Sequence, residues 1–233
     1  MQLKKYQERA PDALDVFLSE AVTKPHAVAY NIACQVGEPG FYASAYEPLQ
    51  SLPRVPYCCL RLPTGGGKTL LGAHSVGIAH KHRMDAPQYP VGLWLVPSAK
   101  IAEQTLGALK TPGHPYRAAL EKPFGGAVRI LGIDERRQIT PQDVATMAHV
   151  IVATVQSFRI AQAEQRNVYK DDENFEAFFK GRVLPDGLMR NPATAEKRPG
   201  EISWSFANVM RLVRPVMIVD EAHNFVTGLS EET

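Results

Sequence analysis

Pro63-Thr-Gly-Gly-Gly-Lys-Thr69 decides how this sequence is read. It follows the short apolar run 57–62 and precedes a helical pattern over 70–82. A glycine cluster between an expected strand and an expected helix is the setting a phosphate-binding loop needs. Gly65, Gly66 and Gly67 let the backbone bend until successive N–H groups face phosphate oxygens, and Thr64 completes the loop. The N-terminus of the following helix adds the positive end of its dipole. Lys68 can reach the β- and γ-phosphates, and the Thr69 hydroxyl can ligate Mg²⁺. The general form of the motif asks for glycine where this chain has Leu62; a narrower variant needs only Gly65 and Gly67. The departure points to a subclass.

Far along the chain, Met217-Ile-Val-Asp220-Glu221-Ala222-His223 delivers two adjacent carboxylates at the end of an apolar strand. Asp220 can hold Mg²⁺, mostly through water, because Mg²⁺ keeps much of its hydration shell. Glu221 can orient or deprotonate an attacking water. His223 is placed to sense the nucleotide state; alone it would read as an ordinary loop histidine.

Between the two motifs, short apolar segments alternate with helical patterns. Strands are expected at 57–62, 91–96, 127–131, 150–153 and 216–219, and helices at 6–20, 70–82, 99–109 and 155–165, with a short helical piece at 144–147. Pro11 allows the first helix to begin later than residue 6. The alternation predicts an α/β fold with a mostly parallel sheet and helices on both faces. Ligands on such sheets sit at the carboxyl ends of the strands, where both motifs fall. Two stretches break the pattern and read as insertions in one domain spanning 1–233. Residues 23–56 are punctuated by proline and glycine; residues 167–203 carry an aromatic piece and a polar run, part helical and part mobile.

Composition sets the class. The 233 residues are 45% hydrophobic and 21% charged, which suits a folded globular chain and excludes a disordered or collagen-like one. A net charge of +2 does not select a partner. Cys34, Cys58 and Cys59 form no CxxC pair, so they read as reduced thiols. The chain begins with no signal-peptide pattern and has no run near the roughly 20 apolar residues of a membrane span, so a cytoplasmic protein with no membrane partner is expected.

Three weaker segments complete a pattern. These are Tyr6-Gln7-Glu8-Arg9-Ala10, Leu95-Val-Pro97-Ser98-Ala99 with Gln104-Thr105, and Val152-Ala-Thr154-Val155-Gln156-Ser157-Phe158. With the two strong motifs they make the chain resemble the superfamily 2 DEAD/DEAH-box helicases, in particular the group like the Res subunit of type III restriction enzymes. The resemblance runs from about residue 2 to 224, the insertions unmatched, and implies the first RecA-like ATPase domain. It casts residues 220–223 as a DEAH box, ATP and Mg²⁺ as cofactors, and Gln7 as the adenine contact, with Arg9 in support. An amide's paired donor and acceptor favour adenine over guanine. Pro97, Ser98, Gln104, Thr154 and Gln156 would line the phosphates of the tracked strand, which positions without reading bases. Ser98 and Thr154 also stand where helix N-caps stand, and both roles can hold together.

The implied partner is nucleic acid, double-stranded DNA first, in restriction, phage defence or repair. The resemblance also implies a second RecA-like domain bearing an arginine finger, from the same full-length protein or a partner subunit. No later arginine motif and no nuclease signature are read within these 233 residues, and Thr227, Ser230 and Thr233 form no convincing motif III. An RNA helicase, a nucleotide-binding module without turnover of its own, and a P-loop ATPase outside the helicases stay open. Arg136-Arg137 and Lys197-Arg198 read as solvated pairs, Trp94 as core, and Trp204 and Phe206 as possible base-stacking platforms.

Overall fold

Val91–Val96 forms β1, six consecutive buried residues at the centre of a sheet. The computed structural model describes residues 5–37, 44–63, 65–83, 87–159 and 167–222, with side chains from residue 8 onward. The chain divides into two compact units, residues 1–86 with 112–126, and residues 87–111 with 127–233.

The second unit holds the sheet. β2 (Val128–Gly132), β3 (Ala148–Thr154) and β4 (Val216–Val219) join β1 in the order β2-β3-β1-β4, every pair parallel. Because side chains alternate across a strand, one face carries Val91, Leu93, Leu95, Leu131, Ile151 and Ala153. Against that face pack Val144 of α6 (Pro141–Thr146), Phe175 and Phe178 of the 3₁₀ segment Glu173–Phe178, and Phe206, Val209 and Met210 of α7 (Phe206–Val213). α4 (Ala99–Lys110) lies on the other face, where Leu106 approaches the bare backbone of Gly132. The expected α/β architecture with a parallel sheet is thus present.

Several expectations change. Residues 155–158 turn as 3₁₀ helix, while 160–165 of the expected helix lie outside the described residues. In the segment read as a part-mobile insertion, Phe175, Phe178 and Phe179 are buried and build the core below the sheet. Burying three phenylalanines is worth roughly 1.5–3 kcal/mol each, which explains why a polar-looking stretch is anchored. At the open edge of β4, Met217 and Val219 are exposed.

The first unit is helical. α1 (Lys5–Ala21) runs straight through Pro11 rather than starting there. α2 (His26–Gly37) occupies much of the first expected insertion. It forms because the stretch between Pro25 and Gly37 contains no breaker, and Ala29 and Ala33 let it close on Phe17 of α1. Tyr30 and Tyr46 pack around the same ring, with centroids 6.3 and 6.0 Å from that of Phe17. α3 (Lys68–Lys81) packs on α1 and on α5 (Pro115–Glu121).

Residues 57–62 are not a strand. A strand exists only through a ladder partner. Here the Tyr57 N–H donates to the Tyr46 hydroxyl at 3.2 Å, and Cys58 packs against the Phe17 cluster. The loop that follows is therefore presented by an irregular segment bracketed by Pro56 and Pro63.

Candidate functional site

In the first unit the glycine loop has the backbone that its residues dictate. Gly65 and Gly67 take φ of 73° and 83°, a left-handed conformation that side chains resist. The Gly66 N–H donates to the Pro63 carbonyl at 2.9 Å and closes the turn. A Cβ on Gly66 would stand 2.7 Å from that carbonyl oxygen, so the close approach requires glycine. Gly67 caps α3, its carbonyl accepting from the Leu71 N–H at 3.0 Å, and Lys68 and Thr69 form the first turn. The first N–H groups of a helix have no intrahelical acceptor and carry its positive end. The loop is thus a turn of the kind that cradles phosphate. Thr64 lies outside the described residues, as does the side chain of Gln7, whose backbone belongs to α1.

In the second unit the sheet's carboxyl edge gathers the other candidates. Val96 pairs with Thr154, and Leu95 with Val219, so β1, β3 and β4 end side by side. Beyond β1, Pro97 is half-buried and Ser98 exposed; the Ser98 hydroxyl caps α4 by accepting the Ile101 N–H at 3.4 Å. Gln104, on the next turn but one, is exposed. Beyond β3, the Thr154 and Ser157 hydroxyls share a hydrogen bond of 3.1 Å, and Gln156 is exposed. Ser157 falls inside a segment quoted for its resemblance, but its tie to Thr154 is visible only in three dimensions.

Beyond β4 comes the carboxylate pair. The Asp220 N–H donates to the Leu95 carbonyl at 2.9 Å, and its Oδ1 accepts the Glu221 N–H at 2.9 Å. Glu221 has φ of 52°, a left-handed backbone that costs a residue with a side chain roughly 1–2 kcal/mol. Strain of this kind concentrates where a side chain must be aimed. The hydroxyl of Thr69 and the carboxylate of Asp220 are both hard oxygen donors, the type Mg²⁺ takes. His223 lies outside the described residues.

Other sequence candidates are accounted for by packing. The Arg136 side chain is buried and donates to the Ile133 carbonyl at 3.1 Å, and Arg137 meets Asp172 at 2.7 Å. Lys197 meets Glu173 at 2.7 Å, and Arg198 pairs with Asp171. Trp94 is core, as expected. Phe206 is fully buried, and the Trp204 ring lies under the Arg198 guanidinium, 3.1 Å from its centroid. Neither offers a bare ring to a base, because the fold already uses both.

A family model described as type III restriction enzyme, res subunit, matches residues 1–232. No curated protein and no solved structure matches the chain.

Proposed function

The chain belongs to the type III restriction enzyme res subunit family, and from that membership we propose that it is the ATP-binding part of a DNA motor, a translocase or helicase serving restriction, phage defence or repair. The family itself gives an ATP-binding, helicase-like domain. Double-stranded DNA as the track, and the residue roles that follow, are our reading.

Lys68 holds the β- and γ-phosphates in the Gly65–Gly67 loop with Thr64, and the Gln7 amide takes adenine. Thr69 and Asp220 supply the Mg²⁺ oxygens, Asp220 through water; the metal, when bound, neutralises charge on the transferring phosphoryl group. Glu221 orients the water for in-line attack on the γ-phosphorus, and His223 passes the nucleotide state onward. Pro97, Ser98, Gln104, Thr154 and Gln156 bind strand phosphates. A second RecA-like domain, from the same full-length protein or a partner subunit, brings the arginine that stabilises transition-state charge. Residues 1–233 are then one RecA-like domain with elaborations. A DNA track places the work in the cytoplasm; among the described residues no helix is long and apolar enough to cross a membrane.

One observation carries this reading. The parallel register of β1, β3 and β4 brings the capping hydroxyl of Ser98, the Thr154–Ser157 pair and the Asp220–Glu221 carboxylates to one edge of one sheet. Hydroxyl groups that accept or donate freely suit phosphate, and adjacent carboxylates suit hydrated Mg²⁺. The test is duplex DNA binding by the whole chain carrying Ser98→Ala with Thr154→Ala and Gln156→Ala. Weakened binding that is uniform across sequences supports the reading. Binding equal to the parent's removes these residues from the track.

A further inference from the structure

Asp15 of α1 reaches across to the far end of α3. Its Oδ1 and Oδ2 accept from the Lys81 ammonium at 3.0 and 3.1 Å, and its Oδ1 lies 2.8 Å from Nε2 of His82. Lys81 is the last residue of α3 and His82 its C-cap. One carboxylate thus gathers both residues that finish the helix Lys68 begins. Burial pushes the Asp15 carboxyl up, but hydrogen bonds and charge from His82 and Lys81 outweigh it and hold it below its usual range. The Asp15 carboxylate therefore stays charged at neutral pH.

Its position gives it leverage. Gln7 stands eight residues before Asp15 on the same helix, about 12 Å along the axis. Lys68 stands thirteen residues before Lys81, about 20 Å along α3. Pro11 adds a local feature to the Gln7 turn: it has no N–H to give the Gln7 carbonyl four residues back, so that carbonyl loses its regular helical donor. The turn that carries Gln7 and the residue Lys68 belong to two helices of one unit, α1 and α3. Where those helices are fastened sets how base and phosphate contacts are spaced.

We infer that Asp15 is a positioning residue for nucleotide recognition, fastening α1 to the end of α3 so that a purine base is presented to the Gln7 turn while its phosphates sit in the glycine loop. The inference rests on the reading of Gln7 as the adenine contact. Asp15 touches neither ligand. Its removal changes selectivity between ATP and GTP while leaving the grip on phosphate alone. An ion pair this exposed is a modest clamp, so the change is about fivefold.

The experiment is equilibrium binding of ATP, GTP and inorganic tripolyphosphate to the full chain and to Gln7→Ala, Asp15→Ala, and the double variant Lys81→Ala with His82→Ala. Expected is a fall of about fivefold in ATP-over-GTP preference for Asp15→Ala and for the double variant, in the direction Gln7→Ala shows, with tripolyphosphate affinity within about twofold. The double variant reads the same clamp from α3 if Asp15→Ala does not fold. Loss of all three ligands in parallel overturns the inference, since that is what mere loosening of the fold does. Unchanged preference in Asp15→Ala beside a lost preference in Gln7→Ala overturns it and leaves the adenine reading standing. Unchanged preference in Gln7→Ala removes the adenine reading and the inference with it.

Discussion

The main-chain N–H of Asp220 donates to the carbonyl of Leu95 at 2.9 Å, which ties the carboxylate motif to β1, the strand that leads into Ser98. That bond joins the carboxylate motif directly to the strand before the segment proposed to hold the nucleic-acid strand. In the proposed mechanism the two carboxylates divide the work. Glu221→Gln keeps the shape and removes the charge proposed to orient water, so it should bind ATP as the parent does and lose about 10²–10⁴ in turnover. Lys68→Ala should lose nucleotide affinity instead. Binding measured beside single-turnover hydrolysis separates the two; equal losses of affinity would contradict the assignment.

The glycine loop should be unequally sensitive to alanine. At Gly66 a Cβ meets a backbone oxygen at 2.7 Å, which cannot step aside, so Gly66→Ala should distort the turn and cost about 1–3 kcal/mol. At Gly65 a Cβ meets nothing within 4 Å and only the left-handed φ of 73° is strained, worth about 1 kcal/mol. Nucleotide affinity and thermal midpoints should rank the parent first, Gly65→Ala second and Gly66→Ala last.

Asp171 joins the segment after residue 167 to the start of α7. Besides its pairing with Arg198, it accepts the Trp204 N–H at 2.7 Å and lies 3.4 Å from the Ser203 hydroxyl. Asp171→Ala strands a partly buried guanidinium and should cost about 2 kcal/mol in denaturant unfolding. A loss under about 0.5 kcal/mol, the usual range of a surface substitution, would mean that the Trp204–Arg198 stack holds without it.

His149 makes stability depend on pH. It is fully buried in β3, its Nδ1 lies 3.0 Å from the Met147 carbonyl oxygen, and its Nε2 has no hydrogen-bond partner among the described residues. Burial holds its pKa below the ordinary 6.5; the Met147 contact opposes this, Arg129 lowers it further and Asp143 raises it. The unfolded chain therefore takes up the proton first as the medium is acidified. The contribution is complete above about pH 6.5 and shrinks as pH falls from there toward the lower folded value. His149→Gln should flatten that part of the stability profile. The carboxyls of Glu135 and Asp172, both held below their ordinary 4.5 and 3.8 by hydrogen bonds that outweigh burial, should act only at lower pH.

Thiol chemistry should separate neighbours. Burial pushes the Cys58 thiol up to about 12, with Cys59 and Cys34 adding to it, whereas Cys59 is exposed. At pH 8 an alkylating reagent followed by peptide mapping should find Cys59 modified well before Cys58, because the thiolate is the nucleophile. Denaturation should erase the difference. Equal rates in the folded chain would contradict the packing of Cys58 on the Phe17 cluster.

What could be read from residues alone was what is local. β1 is six apolar residues between Pro90 and Pro97, and its observed bounds equal the expected ones; the α4 pattern misses its end by one residue. The phosphate loop was legible because glycine at fixed spacing dictates backbone. The rest depended on partners far along the chain. Residues 57–62 carry a strand's composition, yet their groups bond to Tyr46 and pack on Phe17. α2 hid between Pro25 and Gly37. The Phe175–Phe179 piece looked like an insertion because nothing local announces that it completes a core. Asp15 and His82 are 67 positions apart, and no pattern in the sequence connects them.

The most direct test of the central claim is phosphate release from ATP by the full chain, alone, with duplex DNA, with single-stranded DNA and with RNA, joined to the second RecA-like domain where that is needed for turnover. The account predicts release that requires Lys68 and Glu221 and is stimulated most by duplex DNA. Stimulation by RNA alone would contradict the DNA track. A folded chain that neither binds nor hydrolyses ATP, with Lys68→Ala indistinguishable from the parent, would contradict the account as a whole.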